Sequence, residues 1–380
     1  MRLLVVAGEV SGDQHASALV DALRERLPDL QLVGVGGDGL ASRGATLLAH
    51  QKELAVVGLV EALSKIRFAR RLIARLVDEA RTSRVDAAVL VDSPDFNLPL
   101  AKRLSKAGVP VVFYVSPQVW AWRSGRARTL DRIGKAILVL FGFEKRWYDA
   151  RGLGTRVTWV GHPLVDAARH ELVTPHPGPP PGRRRVVLMP GSRSGEIHRN
   201  LPAMRDAMKL LRETHAGVDV VLIRADSISG AQVRAAAGDE LDRWQMVTGP
   251  HLALLASSDV LVVASGTATV EGLLAQVPMV VVYRVNRLSF WIGKRIVKVK
   301  DIAMANIVSD DGSGNRAVPE LVQHEATPER IAAEVRAYLD DPSRVAATRA
   351  RLAKGLTDLG PPGAASRTAD ALLLALGQGG

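Results

Sequence analysis

The chain has 380 residues, enough at about 150 per domain for two or three domains and a well-buried core. Hydrophobic residues make up 47% and charged residues 23%, a globular balance that excludes collagen-like and disordered chains. The absence of cysteine removes disulfides, thiol nucleophiles and thiolate metal sites, while a net charge of +11 favours an anionic partner: nucleic acid, a membrane surface or a phosphorylated ligand.

The run Leu3–Ala7 is too short for the apolar core of a signal peptide and reads as a first strand. Strands are likewise expected at Leu30–Val35, Ala87–Val91, Val109–Val115, Ala136–Leu140 and Val157–Val160, separated by amphipathic helices. Such βαβ repetition makes a mostly parallel sheet covered on both faces. Residues 173–182, VTPHPGPPPG, pack five prolines into ten positions and read as an extended linker. Beyond it the alternation restarts with Arg185–Met189, Val218–Arg224, Gln245–Val247, Val260–Ala264 and Met279–Tyr283. Thr327 before Pro328 is a good helix cap and opens a helical tail to about Leu376. The expected fold class is α/β: a Rossmann-like domain over 1–172, the linker 173–182, a second Rossmann-like domain over 183–340 and a helical tail over 341–380. Two such halves are expected to face a cleft at the carboxyl ends of their strands. Runs such as Ala136–Phe141 and Val260–Ala264 fall well short of the roughly 18 apolar residues of a membrane span, so any membrane contact is expected to be peripheral.

The loops after these strands hold the candidate chemistry. Gly8-Glu9-Val10-Ser11-Gly12-Asp13 precedes a helix expected from Gln14; its amides suit an anion or a sugar hydroxyl, and Ser11 or Asp13 equally suits an ordinary helix cap. Gly34-Val35-Gly36-Gly37-Asp38-Gly39 fits G-x-G-x-x-G, with Glu53 near the acidic distance of a dinucleotide fingerprint. That match follows the second strand rather than the first, and Ser42-Arg43-Gly44 interrupts the helix such a site needs. In Asp92-Ser93-Pro94-Asp95-Phe96-Asn97, Pro94 keeps Ser93 out of the helical region. Asp95 then either enters the cleft as a general base, with Asn97 beside it, or one of the two caps the helix through Leu98–Ala107. The segment Tyr114–Arg123 places Trp120 and Trp122, two of six tryptophans, in one loop, as sugar or acyl binding needs or as buried core provides. His162, in Gly161-His162-Pro163, reads as a hydrogen-bonded turn residue.

In the second half, Met189-Pro190-Gly191-Ser192-Arg193-Ser194-Gly195-Glu196 offers small residues, a helix N-terminus and a guanidinium to a diphosphate, without matching a Walker motif or a nucleophile elbow. Ser265-Gly266-Thr267-Ala268-Thr269-Val270-Glu271 makes a second such opening. Its amides near Gly266 and Thr267 face phosphate, and Glu271 either accepts from ribose hydroxyls or complements the helix dipole. The acids and nine histidines form no metal motif, so neither metal nor cofactor is expected. Two basic amphipathic stretches remain: Lys65–Val77, with Arg67, Arg70, Arg71 and Arg75 opposite Ile66, Phe68, Leu72, Ile73 and Leu76, and Arg287–Lys300, with Arg287, Trp291, Lys294 and Lys298 aligned. Each is a membrane-surface face or a solvated one. No nucleic-acid-binding module accompanies the charge.

Taken together, AGEVSGD at 7–13, SPDFN at 93–97, YVSPQVWAW at 114–122, VGHP at 160–163, PGSR at 190–193 and SGTATVE at 265–271 resemble the lipid A disaccharide synthase family over nearly the whole chain. The resemblance implies a two-domain inverting GT-B glycosyltransferase on the cytoplasmic face of the inner membrane. It would transfer 2,3-diacylglucosamine from UDP to 2,3-diacylglucosamine 1-phosphate (lipid X), forming a β-1,6 linkage without a metal. It also implies Asp95 as base, Arg193, Ser265, Gly266, Thr267 and Glu271 with the UDP moiety, Asn306 as a nucleotide-side contact, and Ser11, Gly12 and Asp13 lining the cleft. Proteins of that family can dimerise, which makes a homodimer an expectation. The sequence departs from the family pattern at Val10 and Ser93, where alanine is common, and at Met304-Ala305-Asn306, where Leu-Pro-Asn is expected. The alternatives are another GT-B UDP-sugar enzyme such as an epimerase, a nicotinamide oxidoreductase, and a noncatalytic binder of anionic surfaces.

Overall fold

The computed structural model describes residues 1–54, 62–249, 251–286, 290–291 and 299–378, the side chains of 62–65 excepted. The chain forms two compact units, Met1–Pro163 with Leu359–Gly380, and Leu164–Asp358. In the first unit, β1 (Arg2–Ala7), β2 (Gln31–Gly36), β3 (Thr46–His50), β4 (Ala87–Val91), β5 (Val111–Tyr114), β6 (Ala136–Val139) and β7 (Val157–Trp159) form a parallel sheet in the order β3-β2-β1-β4-β5-β6-β7. In the second, β8 (Arg184–Met189), β9 (Val218–Ile223), β10 (Gln245–Val247), β11 (Val260–Ala264), β12 (Met279–Tyr283) and β13 (Glu320–Val322) form another, in the order β10-β9-β8-β11-β12-β13.

Both sheets are parallel because helices connect their strands, and helices on both faces explain why β4 and β11 are continuous apolar runs with every residue buried. Leu4, Val6, Ala88 and Leu90 pack with Leu72, Leu76, Leu100 and Leu104 of the Ala62–Thr82 and Pro94–Lys106 helices. Alternation sends Leu3, Val5, Val89 and Val91 to the opposite face, where they are equally buried. The core of the second unit joins Val186, Leu188, Val260 and Val262 to Leu201 and Met204 on one helix and Ile331 and Val335 on another.

Three sequence expectations change here. The first helix begins at Val10 rather than Gln14, with Glu9 as its cap residue, so neither the Ser11 nor the Asp13 side chain caps it. The edge strands β3 and β13 had not been anticipated. Division between the units falls at Pro163 instead of the proline-rich segment, because the Leu164–Glu171 helix packs within the second unit, where Glu171 accepts from the Leu252 amide at 2.9 Å. The prolines themselves are tied there too: the buried Arg185 guanidinium donates to the Pro177 and Gly178 carbonyls at 2.8 and 3.2 Å.

The helical tail is likewise divided. Pro328–Asp340, capped by Thr327 Oγ1 accepting from the Arg330 amide at 3.3 Å, packs on the Ser194–Thr214 helix of the second unit. Ala364–Ala375 instead packs on the Val10–Arg24 helix of the first. Arg26 pairs with Asp370 at 2.8 Å, and Arg367 Nε donates to the Val160 carbonyl at 2.9 Å.

Candidate active site

Strand order reverses between β1 and β4 in the first unit and between β8 and β11 in the second. Loops diverge at such a reversal and leave a crevice at the carboxyl ends of the strands. The four segments that leave these strands are among those singled out by sequence: residues 8–13, 92–97, 190–196 and 265–271.

At the end of β4 the chain turns through Asp92 and Ser93, both left-handed, with φ of 48° and 44°. Non-glycine residues adopt that region only where the surroundings hold them. Asn97 does so: buried, it donates Nδ2 to the Val91 carbonyl at 3.1 Å and to the Asp92 carbonyl at 2.8 Å, so it clamps the turn and does not cap the helix. Asp95, in the first helical turn, projects into solvent with its side chain 74% exposed and meets the Arg126 guanidinium at 3.0 Å.

Ser11 and Gly12 lie in the first turn of the Val10–Arg24 helix, near its unsatisfied amides. Asp13 is spent on the fold. Its carboxylate accepts from the amides of Gly37, Gly39 and Leu40 at 2.7, 2.9 and 3.2 Å. A Cβ on Gly37 or Gly39 would come within 2.8 or 2.6 Å of Asp13 Oδ2, which accounts for the glycines of this turn. The supposed dinucleotide fingerprint is therefore filled by the chain's own anion.

Beside β5 and β6 lies a cluster that sequence reading missed. Glu144, 4% exposed, accepts from Trp120 Nε1 at 3.1 Å and from the Leu140 and Phe141 amides at 3.2 Å each. Burial pushes its carboxyl up to about 7, and the Asp92 charge adds to the rise, against the pull of the Phe141, Trp120 and Leu140 hydrogen bonds. Burial also lowers His15 to about 4 and His162 to about 3, so both rings stay neutral. His15 sits edge-on to Tyr114 and to His162, each at 6.1 Å between centroids. The position of Glu144, three residues after Phe141 at a helix start, was the available signal.

In the second unit, Arg193 precedes the Ser194–Thr214 helix and is 67% exposed, its Nη1 3.2 Å from Glu196 Oε1. Ser265 Oγ donates to the Ile302 carbonyl at 3.2 Å. Gly266 opens the Thr267–Leu274 helix at φ 143°, a conformation suited to glycine, and both Gly266 and Thr267 are exposed. Glu271 Oε1 lies 3.5 Å from His251 Nε2. Burial opposes charge on that imidazole, but Glu271 and the Gly249 carbonyl outweigh it and hold the ring above its ordinary value. Asn306 is buried and fully engaged: Nδ2 donates to the Val318 carbonyl at 3.0 Å and Glu320 Oε1 at 2.8 Å, while Oδ1 accepts from the Val318 amide at 2.9 Å.

Two parallel α/β units, each with its candidate residues at the strand-order reversal, define the architecture of GT-B enzymes. It is shared by solved structures that show the fold alone: a putative UDP-N-acetylglucosamine 2-epimerase from Listeria monocytogenes, TM-score 0.69 at 12% identity over 100% of this chain and 97% of that one, and the calicheamicin glycosyltransferase CalG4, TM-score 0.62 at 15% identity over 99% and 98%. Residues 3–373 match the lipid-A-disaccharide synthetase family, to which the chain belongs. Relatives described as lipid-A-disaccharide synthase include those of Myxococcus xanthus, 41% identical over 98% of this chain and 97% of that protein, and Geobacter metallireducens, 40% identical over 99% and 98%.

Replacing Asp13 by Ala should lower urea-unfolding stability by at least about 2 kcal/mol, since three amides lose a charged acceptor. An unchanged midpoint would return Asp13 to the ligand side. Linkage gives a second expectation. Glu144 keeps its proton up to about pH 7 when folded but only to 4.5 when unfolded, so its contribution is full below 4.5 and is lost as pH rises through 7. The two histidines slope oppositely: their contribution is full above 6.5 and is lost as pH falls toward 4 and 3. Wild type should therefore exceed Glu144→Gln by more at about pH 5 than at about pH 8 in urea unfolding; an equal gap at both would mean that Glu144 does not titrate there.

Proposed function

We propose that the chain joins a UDP-activated 2,3-diacylglucosamine to 2,3-diacylglucosamine 1-phosphate, giving the β-1,6-linked lipid A disaccharide 1-phosphate and UDP. The observation that carries this reading is that four of the family's six motifs, at 7–13, 93–97, 190–193 and 265–271, follow the strands at the order reversal of the two sheets. Asp95, exposed at the end of β4, takes the proton of the acceptor 6-hydroxyl as that oxygen attacks the donor's anomeric carbon. The bond to UDP breaks with its electron pair, and the anomeric centre inverts. Arg193 and the helix-start amides at Gly266 and Thr267 meet the charge growing on the diphosphate. Glu271, oriented by His251, accepts from the ribose hydroxyls, and Ser265 lies at the same helix start. Ser11 and Gly12 line the acceptor side with helix-start amides. Asn306 and Asp13, whose side chains are fully engaged, support their loops as positioning residues.

Both substrates are acylated, so the reaction belongs at a lipid surface, here the cytoplasmic face of the inner membrane. Among the described residues no helix is long and apolar enough to cross a membrane. In the Ala62–Thr82 helix, Arg67, Arg70, Arg71 and Arg75 are exposed while Leu72, Ile73 and Leu76 are buried. Ile66, expected on the inner face, is 48% exposed and adds an apolar contact beside the cations. Of the second basic stretch, residues 287–289 and 292–298 lie outside the described residues; Trp291 is 58% exposed. Basic residues near an anionic surface contribute about 1 kcal/mol each, so the four arginines suffice for peripheral binding.

Incubation with both acylated sugars should yield UDP and disaccharide in equal amounts; UDP without disaccharide would defeat the reading. Asp95→Asn should leave UDP affinity intact and lower turnover roughly 10²–10⁴-fold, and near-normal turnover would remove Asp95 from the mechanism. Glu271→Ala should weaken UDP binding by calorimetry more than it affects the acceptor; unchanged UDP affinity would reduce Glu271 to a helix residue. Vesicle sedimentation should weaken with salt and on changing Arg67, Arg70, Arg71 and Arg75 to Ser, because the Debye length contracts from about 10 Å at 0.1 M to about 3 Å at 1 M. Binding indifferent to both would leave that face as ordinary solvated surface.

A further inference from the structure

Asp95 has two cationic neighbours. Arg126 Nη2 lies 3.0 Å and Arg123 Nη1 3.7 Å from its Oδ1. The guanidinium carbons of Arg123 and Arg126 stand 4.8 and 5.2 Å from the centroid of the same Trp122 ring. Arg123 also holds a left-handed backbone conformation, φ 52°, which only a constrained loop imposes on a residue with a Cβ. The loop after β5 and the start of the Arg126–Ile133 helix thus present two guanidinium groups, braced on one indole, to the end of β4.

Two cations on one carboxylate leave a positive charge over. The arrangement also commits an Asp95 oxygen to Arg126, so that oxygen is not open to a substrate hydroxyl while the pair holds. Its exposure makes the contact easy to exchange. A phosphate monoester brings up to two charges and three oxygens that match the guanidinium fork, so it displaces a lone carboxylate from the arginine pair. We propose that Arg123 and Arg126 bind the phosphate monoester of the acceptor sugar, and that transfer of Arg126 from Asp95 to that phosphate frees the carboxylate for the acceptor hydroxyl. On a pyranose the 1-phosphate and the 6-hydroxyl are about one ring width apart, within the reach of an arginine side chain next to Asp95. The inference rests on the reaction proposed above and adds how the acceptor is recognised. An acceptor without its phosphate binds less well and also leaves the base paired, so both KM and kcat respond.

The test compares the phosphorylated acceptor with its dephosphorylated form in neutral detergent micelles, following UDP release by wild type, Arg123→Gln, Arg126→Gln and Arg126→Lys. Wild type should strongly favour the phosphorylated acceptor in kcat/KM. Each glutamine variant should cut that preference roughly ten- to a hundredfold, the range for losing a charge-assisted hydrogen bond, with the donor KM unchanged. The lysine variant, which keeps the charge and loses the fork, should fall between. Both acceptors are measured on one preparation, so a partly misfolded variant leaves the ratio unaffected. An undiminished preference in both glutamine variants would overturn the proposal. So would a loss that appears only when anionic phospholipid is added to the micelles, which would assign the arginines to the lipid surface. Failure of wild type to use either acceptor would overturn the underlying reaction, a result distinct from turnover with an unaltered ratio.

Discussion

In a parallel sheet, the helices after neighbouring strands usually run to the same face; where strand order reverses they run to opposite faces, and the strand ends beneath are left uncovered. That constraint operates twice here, between β1 and β4 and between β8 and β11, and candidate residues 8–13, 92–97, 190–196 and 265–271 follow those strands. Because the strands are buried on both faces, little beyond their carboxyl-end loops is free to vary toward function. Those loops are correspondingly strained or glycine-dependent: Asp92, Ser93 and Arg123 are left-handed, and Gly266 opens its helix at φ 143°.

Buried polar groups hold several of the segments around these sheets. Asp13 binds three amides of the β2 loop, Asn97 clamps the Asp92 turn, Glu144 fixes Trp120, and Asn306 with Glu320 ties the Met304–Val308 helix to β13. Each such group would be costly to bury without partners and is cheap with them. Asp95 and Arg193 stay exposed beside these held loops, and Arg126 is half-buried against Asp95.

Interior strands were legible in the sequence because burial on two faces writes them as unbroken apolar runs; β4 and β11 lie where that pattern puts them. Two of the four edge strands, β3 and β13, were not. β13 has three residues, opens with a buried glutamate and lacks a pattern to detect. The positions of the motif loops at strand ends were readable, but the partner of each polar side chain was not. Asp13 and Gly37 are 24 positions apart, and Asn306 and Glu320 are 14 apart, so nothing local distinguishes a carboxylate that will hold a loop from one that will hold a ligand. Proline content marked an extended segment correctly in composition, yet the unit boundary is set by where the Leu164–Glu171 helix packs, a tertiary matter.

The placement of Ala364–Ala375 on the Val10–Arg24 helix bears on how the protein comes into being. The second unit is one continuous stretch and is complete once Asp358 has left the ribosome. The first unit, although begun earlier, lacks one of its covering helices until residues 364–375 emerge. Joining segments so far apart costs little extra chain entropy, since that term grows only with the logarithm of the separation, but it imposes a wait. Through most of translation the Val10–Arg24 helix has an uncovered side, open to chaperones and proteases. The half of the enzyme that is made first is the half that is finished last.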